Sequence, residues 1–257
     1  MFHNVFTYIT HLLKSFHLHG IHSPFVFRFQ RECLYDKKGY LIYAKIAAFR
    51  KQLLKKNEEI IITDFGAGSR IFKGNTRKIK DIARHAGATQ KRMRLLYRIT
   101  TYFKPQHILD IGTSVGLSTY ALAQNGAQVT TLEGCPETAK VATDAFAKAQ
   151  AENITSIVGD FMSTIPELLK SKPTYDLIYF DGNHAFNATL SYANQLLPTV
   201  HNDTVWIFDD IHLHQEMSRA WEAIKQLPGV TVTVDAYWFG VAFFRKEQVK
   251  EDFYVRL

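Results

Sequence analysis

The sequence predicts a doubly wound α/β protein with a seven-stranded, mostly parallel sheet, a terminal antiparallel hairpin and a helical N-terminal extension. Three observations predict it. Five short apolar segments alternate with helical segments from residue 107 onward, two alternating segments follow near the end of the chain, and the first hundred residues have mainly helical periodicity. We place the boundary so that residues 1–89 form the extension and residues 90–257 the main domain.

The extension is predicted to be mostly helical because its apolar residues recur at helical spacing. Helices are expected over residues 5–16, 41–56 and 76–85, and a further helix over residues 90–103 ends before Pro105. Between them, residues 60–70 resemble a short strand followed by a glycine loop. We interpret this segment as a turn that packs the extension onto the main domain, since no second strand follows.

The main domain is predicted from its alternating strands and helices. Strands are expected over residues 107–111, 128–132, 154–158, 177–180 and 205–208, and the hairpin over residues 230–237 and 239–245. In such sheets ligands bind beyond the carboxyl ends of the parallel strands. The residues that follow each strand are therefore the candidates for a functional site.

A glycine-containing turn follows the first of these strands. Gly112 and Gly116 allow the backbone to approach a ligand closely, and the helix that begins near Ser118 favours negative groups at its N-terminus. A dinucleotide fingerprint would need two further glycines where Ser114 and Leu117 stand. The turn therefore predicts a small polar ligand rather than NAD or FAD.

Polar residues follow the next two strands as well. Glu133 ends the second strand, 23 residues after Asp110, where a carboxylate would accept hydrogen bonds from ribose hydroxyls. Gly159, Asp160 and Phe161 follow the third strand and offer a polar group and an aromatic face that suit an adenine. Three such features in the expected order favour a nucleoside-containing ligand.

Together these motifs resemble those of bacterial small-molecule O-methyltransferases of the class I, S-adenosylmethionine-dependent type. The motifs are Asp110-Ile-Gly-Thr-Ser-Val-Gly-Leu-Ser118, Glu133, Gly159-Asp-Phe161, Asp181-Gly-Asn-His184 and Asp209-Asp210. The similarity covers about residues 90 to 246 and points to the catechol, caffeoyl-CoA and macrocin types, in a separate bacterial branch. It implies a Rossmann-like methyltransferase fold that binds S-adenosylmethionine through Asp110, Gly112, Thr113, Ser114, Gly116, Ser118, Glu133, Gly159, Asp160, Phe161 and Asp181.

The resemblance also implies a magnesium site. Asp181, Asp209 and Asp210 correspond to the metal ligands of the catechol family, with Asp210 in place of an asparagine. Carboxylates are hard ligands that suit Mg²⁺, and a bound ion would orient an acceptor hydroxyl and lower its pKa. The alternative for Asp210 is that it caps the helix predicted just after it.

The resemblance places a catalytic base at His184, three residues after Asp181, where the catechol family has a lysine. A neutral imidazole accepts a proton at pH 7, so the role is chemically compatible, with Asp181 beside it. A structural loop histidine is the alternative. His212 is a second, weaker candidate for the base.

The charge distribution bears on the partners. The chain has a formal net charge of +7, and residues 70–98 hold ten Lys/Arg against Asp81 alone. This window would attract an anionic acceptor or nucleic acid, or it forms a solvated helical face. We predict a small-molecule hydroxyl acceptor, either neutral or anionic. A nucleic-acid methyltransferase and a catalytically silent cofactor-binding module remain as alternatives.

Composition predicts a cytoplasmic location. The chain has two cysteines, no apolar segment long enough to span a bilayer and no export signal at its start. The sequence leaves the acceptor's identity and the formation of a homo-oligomer open.

Overall fold

The computed structural model describes residues 2–15, 20–63 and 74–257. In the N-terminal third, short helices surround one small hairpin. These elements are α1 (Phe2–Lys14), α2 (Pro24–Phe29, continued by the π-helical turn Gln30–Leu34), α3 (Ile42–Leu53), β1 (Glu59–Ile61), β2 (Thr76–Lys78), α4 (Ile79–His85) and α5 (Gln90–Phe103).

The remaining elements alternate as predicted. They are β3 (His107–Ile111), α6 (Leu117–Leu122), β4 (Gln128–Glu133), α7 (Pro136–Lys148), β5 (Ile154–Val158), α8 (Phe161–Leu169), β6 (Leu177–Phe180), α9 (Phe186–Leu196), β7 (Val205–Asp209), α10 (Gln215–Ile224), β8 (Val232–Asp235), β9 (Phe239–Phe243) and β10 (Glu251–Tyr254).

One predicted helix begins later than expected. Thr76–Lys78 pairs antiparallel with Glu59–Ile61, so α4 starts only at Ile79. Backbone hydrogen bonds to β1 replace helical bonds in this stretch. Most of the predicted glycine loop, at residues 64–70, lies outside the described residues.

The ends of α5 have local causes. Thr89 precedes the helix in an extended conformation, and its side chain accepts a hydrogen bond from the backbone N–H of Arg92. Lys104 ends the helix in the left-handed region, immediately before Pro105. These two ends fix α5 along the chain and thereby place Arg92 in its first turn.

The predicted doubly wound α/β class is confirmed, but the main sheet has eight strands rather than seven. Their order is β10-β8-β9-β7-β6-β3-β4-β5, and all neighbours are parallel except β7 with β9 and β8 with β9. The extra strand β10 pairs in parallel with β8. Consequently the predicted hairpin β8–β9 is present but does not form the edge of the sheet.

The extension and the main domain share one hydrophobic core. Phe49 of α3 stacks on Tyr120 of α6 with ring centroids 3.9 Å apart, and Phe29 packs edge-on against Phe243 of β9. A second cluster of buried apolar side chains, which includes Trp206, packs on the other face of the sheet.

The boundary after residue 89 stays a prediction. In the described part of the chain, every helix is too short or too polar to cross a membrane.

Candidate active site

The turn after β3 needs glycine at two positions. Gly112 and Gly116 have φ angles of +111° and +86°. A Cβ atom on Gly112 would lie 2.7 Å from the carbonyl oxygen of Asp181, and one on Gly116 would lie 2.6 Å from the Phe146 ring. Both the conformation and the space therefore exclude larger residues.

Behind this turn, Asp110 is fully buried. One of its carboxylate oxygens accepts hydrogen bonds from the hydroxyls of Thr119 and Thr131, at 2.6 and 2.7 Å. Burial raises the pKa of Asp110 to about 6, although these hydrogen bonds oppose the increase. Asp110 thus holds α6 and β4 to the turn from inside the protein.

A cavity opens at the carboxyl ends of β3, β4, β5 and β6. Six of the residues predicted to bind the cofactor line it: Gly112, Ser114, Glu133, Asp160, Phe161 and Asp181. The other five are not part of its lining: Asp110, Thr113, Gly116, Ser118 and Gly159. Asp110, Thr113 and Ser118 are buried, so they support the turn rather than face the cavity.

Glu133 is held toward this cavity by the backbone. Its Oε2 atom accepts a hydrogen bond from the N–H of Ser114 at 2.7 Å, and its Oε1 atom accepts one from the N–H of Cys135 at 2.9 Å. Burial raises the pKa of Glu133, while these two N–H groups act to lower it. Each carboxylate oxygen retains a further lone pair that can accept a hydroxyl donor.

Residues of the extension also line the cavity, which the sequence did not predict. These are Ile62, Thr63, Arg77, Ile82 and Ala86. They come from β2, α4, the residue that follows α4 and the segment after β1, so the extension forms one wall of the cavity. No local pattern in these residues signals the role, because it results from how the extension packs.

The three aspartates predicted as metal ligands, Asp181, Asp209 and Asp210, are here called the carboxylate cluster. Arg92 donates from Nη1 to Asp209 at 2.7 Å and from Nη2 to Asp210 at 2.9 Å. Tyr179 donates its hydroxyl to Asp209 at 2.6 Å. The cluster is therefore joined to α5 through one guanidinium group.

The charged groups of the cluster alter one another's pKa values. Burial raises the pKa of Asp209 to about 6 although Arg92 lowers it, and burial together with the other two carboxylates raises the pKa of Asp181. For Arg92, burial alone would lower the pKa, but Asp209, Tyr179 and Asp210 outweigh it and raise the pKa. Arg92 is consequently a permanent cation in the middle of these acids.

The residues present do not fit a divalent ion at the carboxylate cluster. The guanidinium of Arg92 already supplies the positive charge to Asp209 and Asp210, and a second cation between them would meet it at close range. Within the described ranges, the one group of three or more side chains arranged to hold a metal is His11, His212 and Asp235. The predicted Mg²⁺ site stays a prediction that this arrangement opposes.

The alternative role of Asp210 as a helix cap is wrong. Helix α10 begins at Gln215, and the side chain of His214 accepts the hydrogen bond from the N–H of Met217. Three residues separate Asp210 from His214. The carboxylate of Asp210 is therefore available for Arg92.

His184 lies beside the cluster. Its Nε2 atom is 3.6 Å from Oδ1 of Asp181, and its side chain is 23% exposed. Asn183 and His184 both have positive φ angles, 68° and 41°, in the loop after β6. Burial lowers the pKa of His184, so the ring is neutral at pH 7 and has a nitrogen lone pair.

A second cavity of about 620 Å³ has Arg92 in its lining. Its apolar lining comes mainly from Leu34, Leu95, Trp238, Phe239 and Leu257, and its cations are Lys37, Lys91, Arg92 and Arg98. Asp36 is the one acidic side chain in the lining. The cavity therefore combines an apolar surface with positive charge.

Arg92 is the main residue that sequence reasoning missed. It was one of ten cations in the window of residues 70–98, and nothing local distinguishes it from its neighbours. Its partners are 117 and 118 positions away along the chain. The surplus of cations near a predicted acidic cluster was the only available signal.

The chain is similar to known methyltransferases in part of its sequence and in its fold. Residues 109–211 match the family model of a methyltransferase domain, a range that includes the glycine turn and the carboxylate cluster. No curated protein is significantly similar to the chain in sequence.

Several solved structures share the fold. The O-methyltransferase TomG of Streptomyces achromogenes, involved in tomaymycin synthesis and solved with S-adenosylmethionine, is 17% identical over 84% of this chain and 98% of its own, with a TM-score of 0.57. The O-methyltransferase of Bacillus cereus, in complex with S-adenosylhomocysteine, is 16% identical over 84% and 96%, with a TM-score of 0.54. The methyltransferase PaMTH1 of Podospora anserina is 14% identical over 88% and 97%, with a TM-score of 0.59. At these identities the likeness establishes the common fold.

Proposed function

We propose that this chain, a class I methyltransferase by its fold and by its methyltransferase domain, transfers the methyl group of S-adenosylmethionine to a hydroxyl of a small molecule. One observation carries the proposal. The cavity of the glycine turn and Glu133 adjoins His184 and the carboxylate cluster through Asp181, which belongs to both. A donor site and a proton acceptor therefore lie side by side.

The residues that line the first cavity fit the cofactor. Gly112 would let the cofactor approach closely, the carboxylate of Glu133 would accept hydrogen bonds from ribose hydroxyls, and Asp160 and Phe161 would offer a polar group and a ring to the adenine. When bound, the cofactor supplies an activated methyl group on a sulfonium. The protein then has to orient the acceptor oxygen and remove its proton.

We assign the proton acceptor to His184. Because burial lowers its pKa, the imidazole is neutral at pH 7 and accepts the hydroxyl proton at one ring nitrogen. Of the nearby acids, Asp210 acts to raise the pKa of His184 against the effect of burial, and it therefore favours the resulting imidazolium. The left-handed backbone of Asn183 and His184 fixes the ring in this loop.

In this proposal Arg92 carries the charge that the resemblance assigns to Mg²⁺. Its guanidinium offsets one of the negative charges of Asp209 and Asp210, so an acceptor oxygen that loses its proton meets less negative charge there. We derive no step through a metal ion. The Mg²⁺ prediction is addressed by experiment below.

The acceptor is assigned to the second cavity. Its apolar lining and the cations Lys37, Lys91 and Arg98, which outnumber Asp36, favour a molecule with an apolar body and a negatively charged group. This assignment deepens the earlier expectation of an anionic acceptor. It rests on Arg92 belonging both to the cavity lining and to the carboxylate cluster.

The test has two stages. Calorimetry with S-adenosylhomocysteine should give saturable binding that Gly112→Val abolishes; no binding to the folded parent protein would overturn the proposal. A panel of aromatic and aliphatic hydroxy acids, compared with their neutral analogues, then identifies the acceptor class. If RNA is methylated instead, with strong salt sensitivity, the nucleic-acid alternative is correct.

The base is tested with a matched pair of histidines. His184→Ala should lower the rate constant for methyl transfer by about 100-fold or more while the affinity for S-adenosylhomocysteine stays the same. His201→Ala is the control, because His201 is half-exposed and pairs with Asp176 away from both cavities. Equal activity of the two variants would exclude His184 as the base.

The metal question is tested by adding Mg²⁺ to dialysed protein. We expect no change in the transfer rate of the parent protein. In Arg92→Ala the carboxylate cluster lacks its cation, and Mg²⁺ should then raise the unfolding temperature of the variant more than that of the parent. A strict need for Mg²⁺ in the parent would restore the metal prediction.

The cytoplasmic location rests on the sequence alone.

A further inference from the structure

A second cluster of potential ligands lies outside the proposed active site. It consists of His11 on α1, His212 in the loop between β7 and α10, and Asp235 at the end of β8. His11 Nδ1 is 3.1 Å from Oδ1 of Asp235, and His212 Nε2 is 2.9 Å from Oδ2. His11 and Asp235 are buried, with exposed fractions of 4% and 1%. Three ligand atoms thus converge on one small volume, all within 4.8 Å of one another.

The protonation of His11 follows from its other nitrogen. Nε2 lies 3.2 Å from the backbone oxygen of Val255, which only accepts hydrogen bonds, so Nε2 carries the hydrogen. In the neutral ring Nδ1 then presents a lone pair to a carboxylate oxygen. Nδ1 is buried and faces Oδ1 of Asp235 at 3.1 Å. Metal ions bind deprotonated ligands, so a cation that displaced a shared proton would enter between two ligand atoms that already face each other.

Neighbouring groups hydrogen-bond to each of the three candidate ligands, as they do in known metal sites. Ligating histidines commonly bond their second nitrogen to a carbonyl or another polar group, and ligating carboxylates are themselves hydrogen-bonded. Here His11 bonds Val255, and His212 Nδ1 lies 3.0 Å from the hydroxyl of Ser218. Asp235 accepts hydrogen bonds from the indole of Trp221 at 3.2 Å and from the N–H of Tyr237 at 2.9 Å.

From these contacts we propose that His11, His212 and Asp235 bind a divalent transition metal, with Zn²⁺ as the ion that best suits two imidazoles and one carboxylate. The site is separate from the carboxylate cluster, whose aspartates face Arg92. It does not depend on methyl transfer.

Such an ion would fix α1 to the sheet. The apolar side chains of Phe6, Ile9 and Leu13 are 72%, 51% and 83% exposed, so hydrophobic packing by these residues does not hold the helix. The polar anchors near His11 are the hydrogen bonds from Arg256 to the Leu12 carbonyl and to the Ser15 hydroxyl. A metal would join α1, β8 and the loop after β7, three segments distant in sequence.

Calorimetry with Zn²⁺ on the tag-free full chain, after removal of metal with a chelator and dialysis, tests the proposal. We expect one site per chain, and a rise in the unfolding temperature when Zn²⁺ is added. His11→Phe keeps a ring against Tyr237 and Tyr254 but removes the ligand, and it should weaken Zn²⁺ binding by more than about 100-fold, beyond the loss seen for groups that only support ligands. His201→Phe should bind like the parent.

Co²⁺ gives a second readout, since nitrogen and oxygen ligands of low coordination number produce visible absorption bands. These bands should appear in the parent and in His201→Phe and be absent in His11→Phe. Absence of saturable Zn²⁺ and Co²⁺ binding to the parent would overturn the proposal, as would equal binding by His11→Phe. Circular dichroism of the dialysed variants establishes that each is folded during the comparison.

Discussion

The pairing of Arg92 with the carboxylate cluster makes a quantitative prediction. In Arg92→Met the carboxylate of Asp209 stays buried, at 1% exposure, but loses its cation. Breaking a buried pair on one side costs about 3–5 kcal/mol of unfolding free energy. Because Tyr179 still donates a hydrogen bond to Asp209 and because Asp210 is 27% exposed, we expect the lower end, about 3 kcal/mol.

Arg245→Met is the matched control. Arg245 is 29% exposed, close to the 27% of Arg92, but its partners Asp203 and Glu247 are 69% and 45% exposed. Solvent therefore screens its ion pairs, and we expect Arg245→Met to lower the free energy of unfolding by about 1 kcal/mol or less. Urea unfolding at pH 7, followed by tryptophan fluorescence, measures both variants. Equal losses for Arg92→Met and Arg245→Met would refute the assignment of a buried pair.

The double variant Arg92→Met/Asp209→Asn measures the interaction energy between Arg92 and Asp209. Once Asp209 is neutral, the missing guanidinium no longer leaves a buried charge. The loss in the double variant should therefore be smaller than the sum of the two single losses by about 2 kcal/mol. Strictly additive losses would mean that Arg92 and Asp209 do not interact in solution.

Three other positions give predictions about stability and reactivity. Burial raises the pKa of Asp110 from 3.8 to about 6, so ionisation of its carboxyl group lowers the free energy of unfolding. This loss is absent below about pH 4 and complete above about pH 6. In urea unfolding, the parent protein should therefore lose about 3 kcal/mol between pH 4 and 7, and Asp110→Asn should not show this loss. Gly116→Ala should lower stability by about 2–4 kcal/mol because its Cβ meets Phe146, whereas Gly126→Ala, with φ +83° and no atom within 4 Å, should lose only about 1–2 kcal/mol in the same assay. Burial raises the pKa of Cys33 to about 12, so its thiol should react with Ellman's reagent at pH 8 only after unfolding.

The central strands could be predicted because each is buried on both faces and reads as a short apolar segment. Residues Leu177–Phe180 are all buried, and the predicted bounds agree with the structure. Strand β10 was missed for the opposite reason. Two of its four residues, Glu251 and Asp252, are exposed at the edge of the sheet, so its pairing with β8 leaves almost no apolar signal.

The candidate site could be predicted only where one turn follows one strand. Gly112, Glu133 and Asp160 occupy such positions, and they line the cavity as expected. Arg92 and His11 could not be found in this way, because each reaches its partners across more than a hundred residues of chain. Periodicity and short motifs report local structure and say nothing about which distant side chain approaches a strand end.

The position of Arg92 also changes what the carboxylate cluster implies. Three acids after adjacent strands suggest a metal, but here a guanidinium already offsets one of their negative charges with two directed hydrogen bonds. A metal ion dissociates and is replaced, whereas an arginine on α5 is always charged and remains in the chain. The extension and the turn before α5 therefore determine the chemistry of the site as much as the aspartates do. We therefore expect that a change in the first turn of α5 that displaces Arg92 allows divalent ions to bind to the carboxylate cluster, although its three aspartates are unchanged.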